Sequence, residues 1–261
     1  MKLPLLTPLM VLAICASAPA ANLQSATVTR VIKDVTIYRP GASAVSASVG
    51  NVIRGRTSLQ TGRNSRSELR FQDDTLTRLG QNSVFSFQQG SRDLELNQGT
   101  ILLQVPKRAG GARIRTATVT AAITGTTILM EYHKGKWAKV IVLEGDLELF
   151  LNGVGRRVKV EAGQMLVMRA NATKVPQPVD VDLKRLQQTS LLAGEKLFDP
   201  LPEKVLALIN QTIAQQGRMM QQGTLSNPSR NPGVNPTMSG QAPNAGAQVA
   251  QTTQSVSATV K

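Results

Sequence analysis

The chain has 261 residues, 41% of them hydrophobic but only 3% aromatic, and its 30 Lys and Arg outnumber 16 Asp and Glu for a formal charge of +14. That length supports one sizeable domain or two small ones around a core of Val, Leu, Ile and Ala. A single His and a single Cys exclude a multi-histidine metal site and a disulfide framework, and the excess of cations favours acidic proteins, anionic surfaces or acidic polymers as partners.

The first segment, residues 1–20, reads as a secretory signal peptide. Lys2 precedes an apolar run from Leu3 to Cys15, and Ala18-Pro19-Ala20 fits small-x-small cleavage after Ala20 or Ala21. The run is too short for a comfortable membrane span. Ile14 before Cys15 departs from a lipoprotein box, so lipidation is not expected. Cleavage would remove Cys15, leaving the mature chain with no thiol nucleophile or thiolate ligand. No later segment is long and apolar enough to cross a membrane, which gives the expectation of a periplasmic or secreted protein without a membrane span.

Residues 26–175 show short β-runs punctuated by turn residues, the grammar of an all-β domain: an antiparallel β-sandwich, jelly-roll-like or β-solenoid-like. In "SELRF", Leu69 and Phe71 share one face while Glu68 and Arg70 share the other, and Gln72-Asp73-Asp74 reads as a turn before "TLTRL". Phe85 and Phe87 alternate inward in "SVFSF". "GTILLQVPK" begins after Gly99 and ends at Pro106. In "VIVLEGDLELFLNGVGRRVKVEAGQMLVM", Asn152-Gly153 supplies hairpin chemistry, Leu147, Leu149 and Leu151 face inward, and Glu148 opposes Arg157 and Lys159. Residues 181–217 then read as a C-terminal helical segment. It holds a short helix ending at Gly194 and a longer one with Asp199 as a candidate cap, a stripe of Val205, Leu208, Ile209 and Ile213, and Gly217 at its close. The low-complexity tail, 221–261, has too little apolar surface to offset its ordering entropy and is expected to be disordered.

The stretch "RTATVTAAITGTTILMEY", residues 115–132, is a β-run emptied of bulk at its middle. It lacks the serine and strand-to-helix turn of a nucleophile elbow, and no lysine follows its glycine as in a P-loop. His133 has no evident partner for general-base work, and the acids Asp73, Asp74, Glu144, Asp146 and Glu148 are explained by turns and a charged strand face. No catalytic, metal-binding or cofactor-binding residues are assigned, and no cofactor is expected. The remaining candidate is a partner-binding basic face built from Arg54, Arg56, Arg63, Arg66 and Arg70 with Lys107, Arg108, Arg113 and Arg115. Too few aromatics accompany these cations for nucleic-acid stacking, so nucleic acid is not expected as a partner.

Three ordered features then resemble one family. They are Thr61-Gly62 followed by Ser65, Glu68, Leu69 and Phe71; Arg115-Thr116 followed by Gly125-Thr126; and Glu144-Gly145 followed by Ala162-Gly163-Gln164. Between about Val49 and Met168 the chain is similar to FecR-family proteins, with Gly62, Glu68, Phe71, Gly125, Thr126, Gly145 and Gly163 as its structural motif. Asp73-Asp74 stands where the family usually has Asp-Gly. The resemblance implies a sensory or interaction module, not an enzyme, although the chain departs from members that carry a membrane span and an anti-sigma segment. The expected function is therefore an exported, non-enzymatic module that binds another envelope protein. An anionic surface or cell-wall polymer is a second class of partner. A carbohydrate- or cell-wall-binding module is the alternative function, and a secreted hydrolase the third.

Overall fold

The computed structural model describes residues 22–153 and 155–222. The expected leader and residues 223–261 of the expected tail lie outside the described residues. The described strands, β1 to β17 in chain order, build two sheets over one apolar core. The first sheet runs β4 (Val52–Arg54), β1 (Ser25–Ile32), β6 (Arg66–Phe71), β7 (Leu76–Leu79), the second half of β9 (Asp93–Gln104), β12 (Thr127–His133), β13 (Trp137–Glu144), β16 (Gln164–Arg169) and β17 (Val179–Asp180). The second runs β3 (Val45–Ser46), β2 (Val35–Tyr38), β5 (Ser58–Thr61), β8 (Val84–Phe87), the first half of β9, β10 (Ala112–Arg115), β11 (Val119–Ile123), β14 (Asp146–Leu151) and β15 (Arg157–Glu161). Every pairing is antiparallel except β9 with β10. Of the architectures open from sequence, the structure is the sandwich.

Alternation decides what lies between the sheets. Leu69 and Phe71 of the first sheet meet Phe85 and Phe87 of the second, with Phe71 edge-on to Phe87 at 5.0 Å between ring centroids. The β14–β15 hairpin keeps the expected faces: Leu147, Leu149 and Leu151 are buried, and Arg157 pairs with Glu148 outside. Lys159 faces Glu148 in register but makes its salt bridges to Asp146 and Glu161.

β9 belongs to both sheets, which the sequence reading divided at Gly99. The chain changes sheets there, between the pairs Val84 with Gln98 and Tyr132 with Gly99. Gly99 has φ 95 and lies against Ser83, whose Oγ donates to the Thr100 carbonyl and accepts from the Thr100 amide. A Cβ at 99 would overlap both Ser83 Oγ and Ser83 Cα.

The outer face of the first sheet carries a third layer. One row across it reads Glu68, Arg78, Leu102, Leu129, Ile141, Met165. Its apolar members pack under α1 (Leu183–Thr189), α2 (Glu203–Gln221) and the segment between them, in a second cluster with Leu186, Leu192, Phe198, Leu201, Val205 and Ile209. Asp182 caps α1 by accepting from the Arg185 amide, and the helix stops at Thr189 instead of Gly194. Asp199 does not cap α2, which starts after Pro202 without a side-chain cap, because its carboxylate is turned to Arg30. α2 continues through Gly217, where nothing crowds the backbone, to Gln221. Gln216 holds this far end by donating to the carbonyls of Val181 and Gly163. No helix among the described residues is long and apolar enough to cross a membrane.

Gly99→Ala should lower stability by about 2 kcal/mol or more, since overlap with a buried neighbour adds to the backbone cost. Gly153→Ala, at φ 82 with open space around it, should cost only about 1 kcal/mol. Chemical denaturation of the two variants measures the difference, and equal losses would contradict the account of the β9 crossing.

Candidate functional site: a cationic cleft between the sandwich and the second helix

The chain leaves β11 in the second sheet and enters β12 in the first through Thr124-Gly125-Thr126. Gly125, at φ 63, lies directly beneath Lys107, so an added Cβ would be 3.0 Å from Lys107 Cα and closer still to Cγ. Gly145 abuts it from the next corner: a Cβ there would be 2.9 Å from the Gly125 carbonyl oxygen and 3.0 Å from Thr126 Oγ1. Thr126 is fully buried and donates to the Asp146 carbonyl at 2.6 Å, tying the two corners together. The emptied stretch is therefore a sheet-crossing corner, and bulk is absent because backbones touch there.

That corner forms one wall of a cleft of about 620 Å³. Beyond Gln104, β9 gives way to Val105, Pro106 and a 3-10 turn over Lys107–Ala109. The row Arg70, Leu76, Gln104, Thr127, Glu144 crosses the sheet beneath it. Pro202, Lys204, Val205 and Leu208 at the start of α2 close the other side. Four cations, Arg70, Lys107, Arg108 and Lys204, thus share the cleft with an apolar wall of Val105, Pro106, Pro202, Val205 and Leu208. Arg108 is paired with Asp74; no salt bridge among the described residues holds Arg70, Lys107 or Lys204.

Glu144 is nearly buried in this wall, 6% exposed, and accepts from Thr127 Oγ1 at 3.3 Å. Burial pushes its carboxyl above the ordinary value of 4.5, against the opposing pulls of the Thr127 hydrogen bond and the Lys107 charge.

The structure does not gather all nine expected cations. Arg70, Lys107 and Arg108 line the cleft, and Arg54 shares the outer face of the first sheet with Arg70, two residues further along β1. Arg56 is exposed in the β4–β5 turn at φ 63. Arg63 and Arg66 flank Asn64-Ser65, at the end of β6 away from Arg70. Burial lowers the pKa of Arg66. Arg113 and Arg115 project from the second sheet and are both paired with Asp93. Two sheets facing opposite ways separate what local sequence clusters suggested. Lys204 was missed because its distance along the chain hid its proximity to Lys107.

The motif residues have structural work. Gly62 donates its amide to the Asp34 carbonyl, and Gly163 accepts from Gln216 under α2. Asp74 takes φ 64, the conformation a glycine at that turn would adopt freely. Asp73 accepts from the Thr75 amide and pairs with Arg92, so both turn acids are occupied in structure. His133 ends β12; its ring meets Trp137 at 4.4 Å between centroids and its Nε2 lies 2.9 Å from Glu131 Oε1. Among the described residues no cluster of His, Cys, Asp and Glu could hold a metal ion.

These features define a class: a helix-backed β-sandwich with a cationic cleft where its C-terminal helix meets the sheet crossings. Residues 57–148 match the model of the family described as FecR protein, so the resemblance read from the motifs is supported over that stretch, which contains every cleft residue except those of α2. No curated protein matches the chain. Two solved structures are similar over part of the chain. One is described as "a putative anti-sigma factor from Parabacteroides distasonis ATCC 8503 at 1.65 A resolution", with TM-score 0.45, 13% identity and coverage of 61% of this chain and 75% of that one. The other, of the same description at 2.50 A resolution, has TM-score 0.44, 12% identity and coverage of 51% and 64%.

Glu144 supplies a pH test of the site. A carboxyl whose folded-state pKa lies above its unfolded value binds more protons when folded, so its contribution to stability falls as pH rises through the window starting near 4.5. Glu144→Gln should melt above the parent chain at pH 7.5, and the two should converge below pH 4.5. Thermal melts at several pH values check this; a variant less stable at pH 7.5 would contradict the burial account.

Proposed function

We propose that this chain is a non-enzymatic interaction module that acts outside the cytoplasm, in a sensory or signalling role, by binding another envelope protein. The observation that carries the reading is the cleft itself: Arg70, Lys107, Arg108 and Lys204 converge beside an apolar wall, with three of the four in no salt bridge among the described residues. The FecR match over residues 57–148 supports a signalling and protein-binding role, and the apparent leader at 1–20 supports export. Surface cations of this kind steer association with acidic partners and are screened by salt over a Debye length of about 8 Å.

In-cell crosslinking of the full chain, followed by cell fractionation and co-purification, tests the reading. The chain should be recovered in the periplasmic or secreted fraction, joined to an envelope protein. The triple variant Arg70→Glu, Lys107→Glu, Arg108→Glu should lose at least tenfold of that capture, because reversal replaces attraction with repulsion, while its melting temperature stays within a few degrees of the parent. Undiminished capture by the triple variant, or recovery only in the cytoplasm, would overturn the proposal.

A further inference from the structure

The cleft has features that specify its occupant more narrowly than charge alone. Its cations stand on three separate elements: Arg70 on β6, Lys107 and Arg108 on the 3-10 turn, Lys204 on α2. Between them lies an apolar strip, including Leu208, a large side chain left 38% exposed on a helix that buries Val205 and Ile209 against the sheet. An inorganic anion or a lone headgroup would satisfy the cations and leave this strip in water. A peptide segment that presents carboxylates and bulky apolar residues in turn would satisfy both.

Glu144 adds a second property. The charged groups sharing the cleft with it are Lys107 and Arg108 from the 3-10 turn, Arg70 from β6, Asp74 from the β6–β7 turn and Lys204 from α2; Thr127 Oγ1 from β12 donates to it directly. When Glu144 is ionised it competes with any incoming carboxylate for Lys107. When it takes up a proton the cleft gains one unit of positive charge without any movement of the chain.

Building on the cationic-cleft reading above, we propose that the cleft binds an acidic, apolar-flanked protein segment and that Glu144 makes this binding strengthen as pH falls. A bound carboxylate raises the proton affinity of Glu144 in return, since coupling between the two sites is reciprocal. Segment binding is therefore accompanied by proton uptake. Affinity rises from pH 8 towards about pH 5 and is lost below about pH 4, where the carboxylates of the segment are themselves protonated.

The test uses the full chain and fluorescein-labelled ten-residue peptides alternating Glu or Asp with Leu or Phe, compared with the same peptides carrying Gln or Asn. Fluorescence polarisation should show binding of the acidic set only, lost on Lys107→Glu with Arg108→Glu. Affinity should be higher at pH 5.5 than at pH 7.5, because burial raises the proton affinity of Glu144. Glu144→Gln should bind at pH 7.5 on the order of fivefold more tightly than the parent at the same pH, the scale expected for removing one nearby charge at a partly solvated site, with a flattened profile, and calorimetry in two buffers of different ionisation enthalpy should show proton uptake for the parent and none for the variant. Leu208→Ser should weaken the acidic peptides while leaving the melting temperature near that of the parent. Acidic peptides that bind no better than their amide versions, or vesicles of phosphatidylglycerol and phosphatidylcholine that bind in their place, would overturn the assigned occupant, whereas the cationic-cleft reading falls only if the triple variant is captured undiminished. Binding that survives in the acidic set and depends on Lys107 and Arg108, but is the same at both pH values or unaffected by Glu144→Gln, would overturn the Glu144 gate alone.

Discussion

The buried guanidinium of Arg78 joins the sandwich to its third layer. It is 1% exposed, and each of its nitrogens has an acceptor: Nε to Glu68 at 2.8 Å, Nη1 to the Leu192 carbonyl at 2.9 Å, Nη2 to the Asp199 carbonyl at 2.6 Å. Its Cζ lies 4.8 Å from the centre of the Phe198 ring. Burial lowers the pKa of Arg78, but hydrogen bonding and charge from Glu68 oppose that shift. Such a pair adds little net stability over a well-packed apolar pair, whereas removing one partner strands the other at a cost of about 3–5 kcal/mol. Its contribution is positional. One donor anchors the guanidinium to Glu68 and the other two hold the segment 190–201 through Leu192 and Asp199, which fixes where that segment crosses the sheet and so where α2 begins.

The cleft follows from this placement. α2 brings Pro202, Lys204, Val205 and Leu208 to the site, and the sheet crossings bring Lys107, Gly125 and Glu144. Gln216 secures the far end of the helix over Gly163, another glycine of the motif. Of the motif residues, Gly163 thus contacts the C-terminal segment directly and Glu68 holds it through Arg78, although residues 57–148 alone make the family match. The glycines at 125, 145 and 163 serve the close approach of one backbone or helix to another.

Much of the fold was legible because alternation is a direct record of which side chains face a core. "SELRF", "SVFSF" and the 146–161 hairpin kept the faces read from them, since a slip of one residue would have exposed Leu69, Phe85 or Leu149. Alternation does not record what lies on the other face. Glu68, read on the face opposite Leu69 and Phe71, forms a buried clip with Arg78, because a segment more than a hundred residues later covers them. Gly99 looked like the boundary between two elements, when it is the bend of one strand serving both sheets. The basic face was legible only in part: five cationic positions within 54–70 are neighbours in sequence, but Arg56 and Arg63 lie in turns and Arg66 at the far end of β6, so of the five only Arg70 reaches the cleft. The recruitment of Lys204 into the cleft is a tertiary fact that no local pattern carries.

The central claim is that a clip on Arg78 holds the helical layer in place and so forms the cleft. Hydrogen–deuterium exchange on the full chain carrying Arg78→Met tests it most directly, because it reads each layer separately. Amides between 190 and 221 should lose about two orders of magnitude or more of protection, the equivalent of 3 kcal/mol or more, while inner-strand amides such as those of Leu103 and Val140 retain most of theirs. Unchanged protection in α2, or an equal loss throughout both sheets, would contradict the account.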